Sequence, residues 1–128
     1  EDSMQGKNYT LAVFDSDRAM LNACALILKE QDIDIHAFAN SGDFVDQLQR
    51  SVPSAILLDN SILPHGGLEV LRLLKQHEEL HKIPVIYMTA NGSIGDKALK
   101  EGAAYLLIKP FDLLQLTATV LKACDAGH

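Results

Sequence analysis

Residues 54–67 read SAILLDNSILPHGG, and the fold turns on how the first six are taken. Ala55, Ile56, Leu57 and Leu58 are apolar without alternation, the pattern of a strand buried on both faces. The run stops on a carboxylate, Asp59, and a Pro and two Gly follow within eight residues. Asp at the end of a strand can simply open an Asx turn. Whether Asp59 does more depends on what the other strands deliver beside it.

Four further β-type runs flank this one: Thr10–Phe14, Ile33–Phe38, Pro84–Met88 and Tyr105–Ile108. Between them apolar residues recur at helical spacing. Met20, Leu21, Cys24, Ile27 and Leu28 mark a first helix, and Phe44, Val45 and Leu48 a second. Leu68, Leu71 and Leu74, extending toward His77, mark a third. A short fourth spans Ile94–Lys100 with Gly102 as its stop, and Leu113 to Leu121 supply a fifth. Strict strand–helix alternation predicts an α/β fold, a doubly wound five-stranded parallel sheet flanked by five helices. Strand order 2-1-3-4-5, the flavodoxin-like arrangement, is expected.

The chain of 128 residues forms one domain, expected over 9–124. A polar segment 1–8, disordered or vector-derived, precedes it, and a tail 125–128 follows. Hydrophobic residues at 48% and charged residues at 22% are those of a soluble globular protein. No apolar run approaches the roughly 18 residues of a membrane span, and no secretory signal pattern opens the sequence. A net charge of −6, with eleven scattered basic residues, argues against direct nucleic-acid binding. Cys24 and Cys124 both lie in apolar helical patterns and read as reduced core residues of a cytoplasmic protein.

The strand ends carry the chemistry. The first runs into Asp15-Ser16-Asp17, the third into Asp59, the fourth into Thr89 and the fifth into Lys109-Pro110. In an open parallel sheet, ligands bind beyond the carboxyl ends of the strands. Each residue has a plain explanation: Asp15 or Asp17 caps a helix, Thr89 suits a strand, Lys109 reaches for water. Capping does not explain a lysine delivered to an edge that also carries two acids. Asp15 and Asp59 together resemble a Mg²⁺ site, since this ion takes one or two carboxylates and completes its octahedron with water and phosphate oxygens. A carboxylate so placed is also a nucleophile toward phosphorus, with Lys109 and Thr89 holding the transferred oxygens.

With FDSD, LLDNSILPHGGLEVLRLLK, IPVIYMTA and EGAAYLLIKPF in view, the chain resembles the receiver domain of bacterial two-component response regulators, from about Tyr9 to Ala123. The resemblance implies Asp59 as phosphoacceptor, Asp15 in the acid pocket, Thr89 as switch hydroxyl and Lys109 as phosphoryl-binding lysine. It implies the Ser61 main-chain carbonyl as a further Mg²⁺ ligand, and Ser61 and Asn91 as positions that govern water access. The implied partners are a sensor histidine kinase or phosphotransfer protein upstream, and a downstream protein or effector domain. No membrane partner and no turnover substrate are implied.

The sequence departs from the family's pattern in several places. Receivers usually place two adjacent acids after the first strand, the second being a direct ligand; here spacing favours Ser16 at that position over Asp17, with water expected in place of the missing carboxylate. Leu106 stands where an aromatic usually precedes the lysine by three, and Tyr105, its neighbour, should face the other way. Pro64 comes one residue late, and the Thr89–Gly102 interval is shorter than usual. Ser16 and Leu106 fit an alternative, a degenerate receiver acting as a phosphorylation-independent protein-interaction module. A flavodoxin-like cofactor binder lacks its phosphate loop, Gly66, Gly67 and Gly92 reading as turn residues. His77 and His81 have helical spacing but no third ligand, and His65 reads as an exposed loop residue near the pocket.

Overall fold

A computed structural model describes residues 8–127. The expectation for segment 1–8 therefore lies, Asn8 apart, outside the described residues, as does that for His128. Five strands, β1 (Tyr9–Phe14), β2 (Ile33–Phe38), β3 (Ala55–Asp59), β4 (Val85–Thr89) and β5 (Tyr105–Ile108), alternate with five helices. These are α1 (Arg18–Lys29), α2 (Phe44–Arg50), α3 (Gly67–Gln76), α4 (Gly92–Lys100) and α5 (Leu113–Gly127). The strands are parallel in the order β2-β1-β3-β4-β5. This is the expected doubly wound sheet.

Burial explains the texture of each strand. All five residues of β3 and of β4 are buried, whereas β2, at the margin, buries only Ile33 fully. Along β3 the side chains alternate between two cores: Ile56 and Leu58 join Phe44, Leu48, Val70, Leu71 and Ala98 of α2, α3 and α4. Ala55 and Leu57 join Cys24, Leu28, Leu116, Val120 and Cys124 of α1 and α5. Both cysteines are free and buried in this second core.

Boundaries moved where the backbone ladder outran the apolar pattern. Asp59 is the last residue of β3, paired with Met88, and Thr89 is the last of β4, paired with Ile108. Main-chain hydrogen bonds are indifferent to a change of side-chain polarity, so a strand can end on a charge. Helix α4 starts at Gly92, two residues before Ile94, because the Asn91 side chain accepts from Ile94 N–H and caps it there. His77 is not in α3 but ends it; its Nδ1 accepts from the N–H groups of Glu79 and Leu80 and turns the chain. Gly102, at φ +114°, stops α4 in a conformation that side chains rarely adopt. Among the described residues, no helix is long and apolar enough to cross a membrane.

Candidate functional site

Register assembles the site. Phe14 of β1 pairs with Leu58 of β3, so the residues that follow them, Asp15 and Asp59, emerge at the same edge. Thr89 pairs with Ile108, and the following Lys109 N–H donates to the Thr89 carbonyl at 2.9 Å. Four strands thus bring Asp15, Asp59, Thr89 and Lys109 together. Asp15, Asp59 and Thr89 are buried, at 2%, 5% and 3% exposure, so their polar atoms must find partners within the protein or in a ligand.

Asp59 is fully engaged. Its Oδ1 accepts from Lys109 Nζ at 2.7 Å, and its Oδ2 accepts from Ser61 N–H at 3.0 Å. Asp15 is not. Its Oδ1 accepts from Asp17 N–H at 2.9 Å, but its buried Oδ2 has no hydrogen-bond partner among the described residues. The nearest ammonium, Lys109 Nζ, is 3.9 Å from it. An orphaned buried acceptor costs about 1–3 kcal/mol, more when charged. Burial accordingly pushes the Asp15 pKa up; the Asp17 N–H opposes the rise, the Asp59 charge adds to it, and Lys109 opposes it. Burial also pulls on Lys109 in its own direction, downward. The hydrogen bond and charge of Asp59, then the charges of Asp15 and Asp17, outweigh it and hold the ammonium above its ordinary value.

Two ionised acids and one lysine give these side chains a net charge of −1, and Asp15 Oδ2 has Lys109 Nζ at 3.9 Å but no hydrogen bond among the described residues. That arrangement fits a divalent cation. Among the described residues no group of three or more His, Cys, Asp or Glu side chains is placed to hold a metal ion. A cation here would rest on two carboxylates, main chain and water, the habit of Mg²⁺ rather than of zinc. His77 and His81, expected at helical spacing, lie in the turn after α3 and are otherwise engaged: His77 Nδ1 accepts from Glu79 and Leu80 N–H, and His81 Nδ1 lies 3.0 Å from the carbonyls of both His77 and Glu78.

Thr89 Oγ1 accepts from Asn91 N–H at 3.1 Å, which leaves the hydroxyl proton free to donate. A cleft of about 400 Å³ opens beside Lys109, lined by Asp17, Met20, Ala90, Pro110 and Phe111. Ser16 is exposed in the loop after β1. Ser61 is exposed in the loop after β3. Leu106 packs with the core that holds Tyr87 and Ile94, and Tyr105 with the opposite core, as strand alternation requires. Leu106 lies so close to α4 that a Cβ on Gly95 would come within 2.7 Å of it.

The sequence reading missed Ser41, Asn60 and Tyr87, which shape the loop after Asp59. Buried Ser41 accepts from His65 N–H and donates to the His65 carbonyl, both at 2.8 Å, while its own N–H donates to the Leu63 carbonyl at 2.7 Å. His65 therefore sits in a tied loop, its ring edge-on to Phe44 and its Nδ1 3.3 Å from Glu69. Tyr87, fully buried in β4, donates its hydroxyl to Asn60 Oδ1. A tyrosine inside an apolar strand was the available signal, since a buried phenol needs a partner.

A family model for the response regulator receiver domain matches residues 11–121. The response regulator TodT of Pseudomonas putida is 28% identical over 122 residues, spanning 94% of this chain and 53% of that protein. The regulatory protein LuxO of Vibrio cholerae is 36% identical over 94 residues, 72% of this chain and 20% of that protein. The chain thus spans about half, or less, of the length of these relatives. Among solved structures, the Francisella response regulator 1452 receiver domain superposes with a TM-score of 0.85 at 20% identity, covering 94% of this chain and all of that one. The receiver domain of the sensor histidine kinase PA1611 from Pseudomonas aeruginosa has a TM-score of 0.82 at 21% identity, covering 93% and 99%. That domain carries a magnesium ion coordinated in its active site cleft. At such identities the structural likeness establishes the fold.

Proposed function

The chain belongs to the response regulator receiver domain family, and from that premise we propose that Asp59 accepts a phosphoryl group from the phosphohistidine of a sensor kinase or phosphotransfer protein. A carboxylate oxygen of Asp59 forms the new O–P bond as the P–N bond to the donor imidazole breaks, and the imidazole nitrogen keeps the electron pair. The observation that carries this reading is the 2.7 Å contact of Lys109 Nζ with Asp59 Oδ1 beside the orphaned Asp15 Oδ2. Lys109 neutralises charge on the transferring group, and the free Thr89 proton donates to one of its oxygens. Mg²⁺, bound by Asp15, Asp59 and the Ser61 carbonyl with Ser16 acting through water, would neutralise further phosphoryl charge. The domain acts as a signalling phosphoacceptor without a turnover substrate.

Phosphorylation then biases a conformational equilibrium read by a downstream protein or effector domain. Exposed Leu99, Ile108, Leu113 and Leu114, on the neighbouring elements α4, β5 and α5, supply apolar surface for such a partner. Free buried cysteines accord with a reducing, cytoplasmic setting.

Intact-mass measurement after incubation with a small phosphodonor and Mg²⁺ tests the proposal. We expect a gain of one phosphoryl group in the parent and none in Asp59→Asn. No gain with any donor, kinase phosphohistidine included, would favour a protein-interaction module that keeps the fold and does not use the phosphate.

A further inference from the structure

Asn60 stands between the phosphoacceptor Asp59 and Ser61, and three hydrogen bonds hold it. Its N–H donates to the Met88 carbonyl of β4 at 2.9 Å, and its carbonyl accepts from Gly67 N–H, the first residue of α3, at 3.1 Å. Its side-chain Oδ1 accepts from the Tyr87 hydroxyl at 2.5 Å. Tyr87 has no solvent exposure, so its hydroxyl has no water to fall back on. The first residue of α3 is built around that hydroxyl: a Cβ on Gly67 would stand 2.6 Å from Tyr87 Oη and 2.8 Å from Asn60 Cα. Glycine is needed here for space.

The residue that follows Asn60 supplies two main-chain groups to the site. Ser61 N–H donates to Asp59 Oδ2, and the Ser61 carbonyl is the one assigned to the cation. Burial, and after it the charge of Asp59, raises the Tyr87 phenol to about 12, so it remains a protonated donor at any physiological pH. We propose that Tyr87 is a positioning residue for the phosphoacceptor site: by holding the Asn60 amide, its hydroxyl orients the Ser61 N–H toward Asp59 and the Ser61 carbonyl toward the metal. This role rests on the phosphoacceptor reading above. It ties β4, two residues before Thr89, to the loop after Asp59, on the sheet face where Leu106 replaces the family's aromatic.

Tyr87→Phe keeps the ring in the core and deletes the hydroxyl. We expect Mg²⁺ affinity to fall about threefold to tenfold, the span of one lost hydrogen bond. The phosphorylation rate at subsaturating Mg²⁺ should fall in parallel. Amide hydrogen exchange, measured without metal or phosphodonor, should quicken at Ser61 and Gly67 and stay unchanged at Leu57 and Ile86. Asn60→Ala should reproduce these effects, and the double variant should be no worse than either single, because both act through one bond. Parent-like Mg²⁺ affinity and Ser61 exchange in Tyr87→Phe, or losses that add in the double variant, would overturn the role. Should Tyr87→Phe fail to fold, Asn60→Ala, at a half-buried position, carries the same comparison. If the parent neither binds Mg²⁺ nor takes up phosphate, the phosphoacceptor reading is what fails; Ser61 exchange then decides the positioning by itself.

Discussion

At Asp17 a carboxylate next to the pocket serves the backbone: its Oδ1 accepts from the N–H groups of Ala19 and Met20 at 2.9 and 3.3 Å and caps α1. A capping bond contributes about 1 kcal/mol and engages that oxygen in the helix, which supports the proposal of Ser16, rather than Asp17, at the ligand position. Ser16→Asp should tighten Mg²⁺ binding, since a hard cation gains an anionic oxygen. Without metal the same change should lower stability modestly by crowding charge near Asp15 and Asp59. Thermal melts with and without Mg²⁺ read both effects; a variant no more stabilised by Mg²⁺ than the parent would displace Ser16 from that position. Asn91 carries two duties at once. Its N–H serves Thr89 and its side chain caps α4, so enlarging it to tune phosphoryl lifetime also forfeits the cap.

At the scale of elements, the β3–α3 loop is held from two sides, by Tyr87 of β4 and by Ser41 of the β2–α2 connection. Ser41 has no exposure, and its single hydroxyl satisfies both main-chain groups of His65. Ser41→Ala leaves those two groups without a partner and should cost about 1–3 kcal/mol. Urea melts should show the loss as a lower midpoint with an unchanged slope, and exchange at His65 should rise. A midpoint equal to the parent's would mean that water enters and replaces the hydroxyl. The same clip reaches the residue before Pro64, whose carbonyl accepts from Ser41 N–H at 2.7 Å.

For the whole molecule, the proposed Mg²⁺ site at Asp15 predicts a fold that the metal stabilises. At a hundredfold excess over Kd, a ligand bound only by the folded state adds about 2.7 kcal/mol. For a chain of this length that raises Tm by about 10 °C. The pH dependence has a definite sign. The folded-state pKa of Asp15 lies above its ordinary 3.8, so its contribution favours the fold below that value and is lost as pH rises through the folded pKa. Mg²⁺ needs the ionised carboxylate, so the metal's stabilisation should grow over the same interval and vanish in acid. Melts across that range, with Asp15→Asn as control, measure it. An increment equal at all pH values would exclude Asp15 as a ligand.

Much of this was legible in the sequence because it depends on neighbours along the chain. Unbroken apolar runs separated by helical periodicity determined a doubly wound parallel sheet, and with it the shared edge of Asp15, Asp59, Thr89 and Lys109. The opposite facing of Tyr105 and Leu106 followed from strand alternation alone. Tertiary structure decided what those residues touch. The Tyr87–Asn60 bond joins positions 27 apart and the Ser41–His65 clip positions 24 apart, and no local pattern encodes which distant polar atoms meet. Gly67 read as a turn residue until the Tyr87 hydroxyl and the Asn60 backbone were seen to occupy the space of its missing side chain. The orphaned Asp15 Oδ2 likewise exists only in the packed molecule: periodicity puts a carboxylate at a strand end, but three-dimensional burial shields one of its oxygens from solvent and leaves it without a hydrogen bond among the described residues.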